Sequence, residues 1–283
     1  MLLFTEGFDY FAIADFTTYN KWSGRSGCSI GSSTSLLRFG SGTGQYVLMT
    51  SSGNYLERNI GSNLAAGVMG VAFRIDASGT NAYRQMPFTL YETTTVQIGV
   101  VINTDLTLSI YRGTLSNILG TTTYTLPTAT YVYLELKWSI SNSITSGDVV
   151  LYADGVAILT LATATDTQNT ANAYATKYRL GGDTAILNAT TANAYYDDHY
   201  FIDLTGSYNN APLGSVRVCT LFPSGNGNSS QMSGSDGNSV DNYALVDDTT
   251  PNDDTDYIES STVGNKDTYA FGNLPSSVNT VYG

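Results

Sequence analysis

The chain has 283 residues, 42% of them hydrophobic and only 13% charged, enough apolar material for a real core in one large or two smaller domains. Twelve basic residues against 24 acidic ones leave a formal net charge of −12, so a phosphate backbone is repelled by most of the surface and nucleic acid is not an expected partner. The apolar runs are strand-sized and fall well short of the roughly 20 residues needed to cross a bilayer, so no membrane partner is expected either.

The chain opens on MLLFTEGFDYF, which has no basic leader and meets Glu6 early. That is not the pattern of a secretory signal, and synthesis in a cytoplasm is the expectation. From there the dominant signal is a period of two, as in strands with one buried face. Val71, Phe73 and Ile75 alternate with Ala72, Arg74 and Asp76. Ile98, Val100 and Ile102 are followed, after a short polar turn, by Leu106, Leu108 and Ile110, which reads as a hairpin. In YVYLELKWSI, Val132, Leu134, Leu136, Trp138 and Ile140 share one face. Asp154–Gly155 separates two further apolar runs and supplies the positive φ angles of a tight hairpin turn. The best helical stretch, Ser62 to Val68, is about one or two turns long. These signals predict an all-β fold of roughly a dozen or more strands, arranged as two packed antiparallel sheets.

Composition changes after Leu221. Pro223 to Ser239 is nearly devoid of large apolar residues and reads as a flexible or turn-rich connector. Beyond it, Leu245, Tyr257, Ile258, Tyr269, Phe271 and Leu274 are anchors too scattered to build a core. The expected organisation is a β domain over 1–221 and an extended C-terminal arm over 222–283, ordered against this domain or a neighbouring subunit. Cys28 and Cys219 are too few and too far apart for a zinc motif or a disulfide framework, and two separate thiols are expected, with a disulfide formed after release from a reducing cell as the alternative.

Chemistry-bearing residues concentrate in NAYYDDHYFIDLTG, 193–206, which holds the sole histidine, His199. On a regular strand Tyr196, Asp198, Tyr200, Ile202 and Leu204 point one way, and Tyr195, Asp197, His199, Phe201 and Asp203 the other. Asp197 and Asp198 then cannot act as a carboxylate pair. A lone histidine gives a weak transition-metal site, since zinc takes at least three good ligands. The acidic run Asp247, Asp248, Asp253, Asp254, Asp256 and Glu259 lacks the spacing and the glycine of a calcium loop, so no cofactor is expected beyond weak calcium binding. No strand carries the alternating acids of sugar-cleaving sandwiches, Glu92 and Glu135 standing alone on theirs. No G-x-S-x-G elbow occurs. The glycine-rich stretch Phe39 to Tyr46 misses the phosphate-loop spacings and reads as a turn. Tyrosines placed outward by alternation, Tyr83, Tyr91, Tyr111, Tyr131, Tyr133 and Tyr195, are the candidates for stacking on sugar rings, and are equally suited to contacts with protein partners.

The segments FTEGFDYF (4–11), NKW (20–22), VAFRID (71–76), VQIGVVINTDLTLSIYRG (96–113), TYVYLELKWSI (130–140), GDVVLYADGV (147–156), YRLGG (178–182) and YYDDHYFID (195–203) follow one another in the order of concanavalin A-like (laminin-G-like) jelly-roll domains of tailed-bacteriophage virion proteins. NNAPLGSVRVCTLFP and SSTVGNKDTYAFGNLP resemble the segment that follows the jelly roll in such proteins. The resemblance implies a concanavalin A-like jelly-roll sandwich and a structural protein of the virion, a surface decoration or tail-associated subunit. Such a subunit is expected to assemble as a homo-oligomer with capsid or tail proteins, without enzymatic or catalytic residues. The alternative is a carbohydrate-binding adhesion module for host surface glycans. The family's fold also hosts lectins and glycosidases, and this sequence departs from both patterns in its acids and metal ligands.

Overall fold

A computed structural model describes residues 1–9, 12–18, 21–39, 44–51, 53–76, 83–143, 146–161, 165–182, 192–248, 255–274 and 278–282, the side chains of 83 and 84 excepted. Two compact units divide the chain, Met1–Val218 and Cys219–Gly283.

The first unit is an all-β sandwich. Its strands in chain order are β1 (Leu2–Glu6), β2 (Gly24–Ser26), β3 (Cys28–Gly31), β4 (Tyr46–Met49), β5 (Tyr55–Leu64), β6 (Ala66–Ile75), β7 (Tyr83–Glu92), β8 (Thr95–Asn103), β9 (Thr107–Arg112), β10 (Ile118–Thr125), β11 (Val132–Ser139), β12 (Asp148–Ala153), β13 (Val156–Leu161), β14 (Ala175–Gly181) and β15 (Ala194–Ile202). One sheet runs β13-β12-β11-β6-β15-β4-β3, with β1 also paired to β15; the other runs β10-β9-β8-β7-β14-β5-β2. All these pairings are antiparallel. No helix among the described residues is long and apolar enough to cross a membrane.

The inner faces are those the alternation marks. Val71 and Phe73 of β6, Leu134, Leu136 and Trp138 of β11, and Ile98, Val100, Leu108 and Ile110 of β8 and β9 are buried in one cluster between the sheets. Asp154 and Gly155 take φ of 47° and 78°, the two positive values of a tight hairpin turn. The stretch expected as a short helix is strand instead. Leu64 pairs with Ala175 and Gly67 with Trp138, so ladder bonds to distant segments override a weak local preference.

The outer faces are covered too. On the first sheet Val68, Ala72, Tyr133, Tyr200 and Ile202 form a second buried cluster, against which Leu204, Leu213 and Val216 of the segment after β15 pack. Gly70 lies between Glu135 and Tyr200 across three strands. A side chain at Gly70 would collide with the rings of Tyr200 and Tyr133; its absence lets the Tyr200 hydroxyl reach across β6 to the Glu135 carboxylate. Glu135 also accepts from the Gly214 amide at 2.9 Å, which ties the covering segment down.

The second unit holds two small sheets, β16 (Pro223–Ser230) with β19 (Asp267–Phe271), and β17 (Ser233–Gly234) with β18 (Ile258–Glu259). The first half of the stretch expected as a connector is therefore a strand. Its composition is polar, but backbone pairing needs no apolar side chain. Both cysteines are free thiols, with Cys28 buried.

Candidate functional site

β15 is buried along its whole length, yet two aspartates and the histidine sit in its middle. On one edge it pairs with β6 throughout, Ala194 with Ile75 and Ile202 with Val68. On the other edge its neighbour changes, with β4 beside Ala194–Tyr196 and β1 beside His199–Ile202. Asp197 and Asp198 fall at the changeover.

The register breaks at the same point. Asp197 faces Ala72 and Tyr200 faces Gly70, so three steps along β15 match two along β6. This is a β-bulge, and Asp198 takes the left-handed conformation with φ of 49°. Aspartate is among the few side chains that tolerate that region.

The bulge corrects the strict alternation expected along 195–203. Tyr196 and Phe201 both enter the core between the sheets because the extra residue shifts the phase by one, and His199 enters with them, its ring 5.7 Å from that of Trp22 and 6.0 Å from that of Phe4. His199 Nδ1 donates to the Gly70 carbonyl at 2.8 Å, and Nε2 accepts from the Tyr178 hydroxyl at 2.8 Å. Burial pulls the imidazole down to about 3, so it is neutral and structural. Asp203 lies past the end of β15 and accepts from the Thr205 amide at 3.0 Å.

Asp197 and Asp198, by contrast, line one pocket with Asp9, Leu37, Arg38, Phe39, Gly44 and Arg217. Asp198 is the anchor. Its Oδ2 takes the Arg38 guanidinium at 2.5 Å, its Oδ1 the Val218 amide at 2.7 Å, and its carbonyl the Tyr133 hydroxyl at 2.8 Å. Burial raises its carboxyl, while Arg38 and the Val218 amide favour the charged form. The Asp198–Arg38 pair is almost wholly buried, with side chains 4% and 8% exposed.

Asp197 is held more lightly. Its Oδ1 accepts from the Asp198 amide at 2.8 Å, and its Oδ2 has no hydrogen-bond partner among the described residues. Burial and the neighbouring Asp198 charge push its carboxyl up, towards the protonated form. Asp9, in the loop after β1, accepts from the Gln45 amide at 2.7 Å and is raised by burial to about 6. One pocket thus gathers three carboxyls in different settings, Asp197 and Asp9 both pushed towards the protonated form by burial and Asp198 paired with Arg38, the kind of divergence proton-transfer chemistry uses. Among the described residues no group of three His, Cys, Asp or Glu side chains is placed to hold a metal ion. Asp253 and Asp254 of the acidic run lie outside the described residues.

Of the tyrosines marked as outward-facing, Tyr91, Tyr111, Tyr133 and Tyr195 are buried and Tyr131 is half-buried, because the outer faces are covered. Tyr91 and Tyr111 lie in a buried cluster outside the second sheet, with the Arg179 guanidinium over Tyr91 and the Tyr111 hydroxyl on Met86 Sδ. Tyr133 is spent on Asp198, Tyr131 donates to the Leu36 carbonyl at 3.0 Å, and Tyr195 to Asp76 at 2.7 Å. The Tyr83 side chain lies outside the described residues. Asp9, Arg38, Phe39 and Arg217 were not singled out from sequence; the one local signal for the pocket is the Asp-Asp doublet, which breaks the period of two inside an apolar run.

No family model matches the chain, and no curated protein matches it. Among solved structures it is similar to a Trypanosoma rangeli sialidase in complex with sialic acid, at 10% identity and a TM-score of 0.42, over 56% of this chain and 25% of the sialidase. A carbohydrate esterase from Shiga toxin-encoding bacteriophage phi24B aligns at 18% identity and a TM-score of 0.42, over 64% of this chain and 89% of the esterase. The alginate lyase Aly36B aligns at 12% identity and a TM-score of 0.42, over 57% of this chain and 81% of the lyase. The expectation of a chain without enzymatic activity is corrected here: the solved structures it resembles are enzymes, and the geometric reason behind that expectation, two carboxyls on opposite faces, falls with the bulge.

Proposed function

We propose that the chain is a carbohydrate-active subunit of a tailed-phage particle, and that the pocket over the β15 bulge is its site. The observation that carries the reading is the gathering, in one arginine-flanked pocket, of Asp9, Asp197 and Asp198, of which Asp197 and Asp9 are pushed towards their protonated forms by burial and Asp198 is held by Arg38. In this reading Asp197 donates a proton to a departing sugar oxygen as its C–O bond breaks, while Asp9 takes a proton from the water whose oxygen forms the new bond to that carbon, or, with a uronate substrate, from the ring carbon beside the carboxylate as a C=C bond forms. Asp198 and Arg38 are positioning residues that hold the bulge. The exposed ring of Phe39, at the pocket rim, supplies an apolar surface of the kind on which a sugar face packs.

The place on a particle rests on the ordered resemblance to concanavalin A-like virion proteins. On the outside of a head or tail, repeated copies would give weak individual sugar contacts collective strength, with other virion proteins and further copies of this chain as partners.

The test is turnover. The full chain is incubated with a panel of bacterial surface polysaccharides, and new reducing ends and unsaturated products are followed. Asp197→Asn keeps the shape of a protonated carboxyl but cannot give up a proton, so the rate is expected to fall about a hundredfold or more. A chain that neither binds nor cleaves any glycan, or one whose turnover is untouched by Asp197→Asn, overturns the reading.

A further inference from the structure

Two arginines pack on the same exposed ring. The guanidinium carbons of Arg38 and Arg217 lie 4.7 Å and 4.6 Å from the centroid of Phe39, yet the two side chains differ in what they have left to give. Arg38 is consumed: besides Asp198 it donates to the Val216 carbonyl at 2.5 Å and to Ser215 Oγ at 2.6 Å. Arg217 is exposed, and none of its nitrogens has a hydrogen-bond or ion-pair partner among the described residues. It therefore presents a fork of donors in a fixed plane beside the pocket.

We propose that this pocket selects an anionic saccharide, with Arg217 holding the acid group of the sugar while Phe39 packs against its ring. The inference rests on the carbohydrate reading above and names the substrate class for the same site. Asp198 is matched by Arg38, so the donors of that arginine are taken, whereas Arg217 influences Asp9 and Asp198 through space and keeps its own donors open at the pocket lining. A planar carboxylate, or the oxygens of a sulfate ester, can take two parallel bonds from a guanidinium, whereas a neutral hydroxyl takes one weaker bond. The chain as a whole carries −12 and repels polyanions, so an arginine with open hydrogen-bond donors at the pocket is the feature that would admit an acid group there.

Titration calorimetry of the full chain tests this with four soluble polymers: a polyuronate, the same polymer with its carboxyls reduced to alcohols, dextran sulfate and plain dextran. The polyuronate is expected to bind at least about tenfold more tightly than its reduced form. Arg217→Ala should erase that preference and Arg217→Lys should recover part of it, since charge remains but the fork is lost. An unchanged thermal midpoint in both variants keeps folding out of the comparison. Dextran sulfate bound in place of the polyuronate, with the same dependence on Arg217, assigns the acid group to a sulfate ester and still supports anion selection. Equal binding of the polyuronate and its reduced form, or a preference that survives Arg217→Ala, overturns the inference and leaves the carbohydrate reading standing. Binding of no polymer, with no glycan turned over, removes both.

Discussion

Asp197 and His199 are two residues apart on β15 and perturbed in opposite senses. Each is displaced by burial towards its uncharged form: the carboxyl up to about 9 and the imidazole down to about 3. The consequences for stability have opposite signs. Between about pH 4, where a free aspartate titrates, and about pH 9, the folded chain keeps a proton on Asp197 that the unfolded chain releases. Stability from this group is therefore complete at low pH and lost as pH rises through that window. Asp197→Asn should flatten the slope, seen as a smaller drop in urea midpoint between pH 5 and pH 9 than in the wild type. Burial raises Glu6, Asp9 and Glu135 in the same direction, so the informative quantity is the difference between variant and wild type. For His199 the unfolded chain takes up a proton below about 6.5 that the folded chain refuses until about 3. Its contribution is present above 6.5 and lost as pH falls. His199→Gln should remove that acid limb and cost ~1–3 kcal/mol through the mismatched bonds to Tyr178 and Gly70, while polysaccharide turnover persists because the ring faces away from the pocket.

At the scale of the element, the bulge decides which side chains form the site, and it is also where sequence reasoning stops. The strands of the core were legible because their inner residues keep a period of two without interruption, as Val71 to Ile75 and Val132 to Trp138 do, and because Asp154–Gly155 has a conformational requirement few other pairs meet. The bulge inserts one residue without changing composition. The polar residues 197–199 were visible, but their sides were assigned from a phase that the structure resets at Asp198. The cover over Tyr131 and Tyr133 was invisible for another reason. It comes from residues 204–216 folding back on β6 and β11, a tertiary contact with no local periodic signal. If the bulge is held by the Asp198 charge, Asp198→Asn, which tolerates the same φ, should keep the fold but leave Arg38 buried without its counter-ion. The expected cost is ~3–5 kcal/mol, read from chemical denaturation. A loss below ~1 kcal/mol would mean that Val216 and Ser215 alone satisfy Arg38.

At the scale of the molecule the two units are built on different principles. The first has two packed faces and buried clusters on both outer sides. In the second, the buried positions among the described residues are Gly234 and Asn242, and Val240, Tyr257, Val263, Phe271 and Leu274 are exposed. Polar bonds organise it instead: Asp267 accepts from the amides of Gln231 and Met232 at 2.5 Å and 2.9 Å and from the Asn242 side chain at 2.6 Å. A two-stranded sheet without an apolar face is marginal in water, and solvent-facing hydrogen bonds add little to global stability. Amides of β16 and β19 should therefore exchange with deuterium through local opening, while those at the centres of β6 and β11 exchange only when the sandwich unfolds. Asp267→Ala removes the acceptor shared by four donors, the Tyr269 hydroxyl at 3.4 Å included, and protection over 223–230 and 267–271 should collapse with that in the sandwich unchanged. Equal protection in the two units of the isolated chain would contradict this division and require apolar burial that residues 219–283 do not provide.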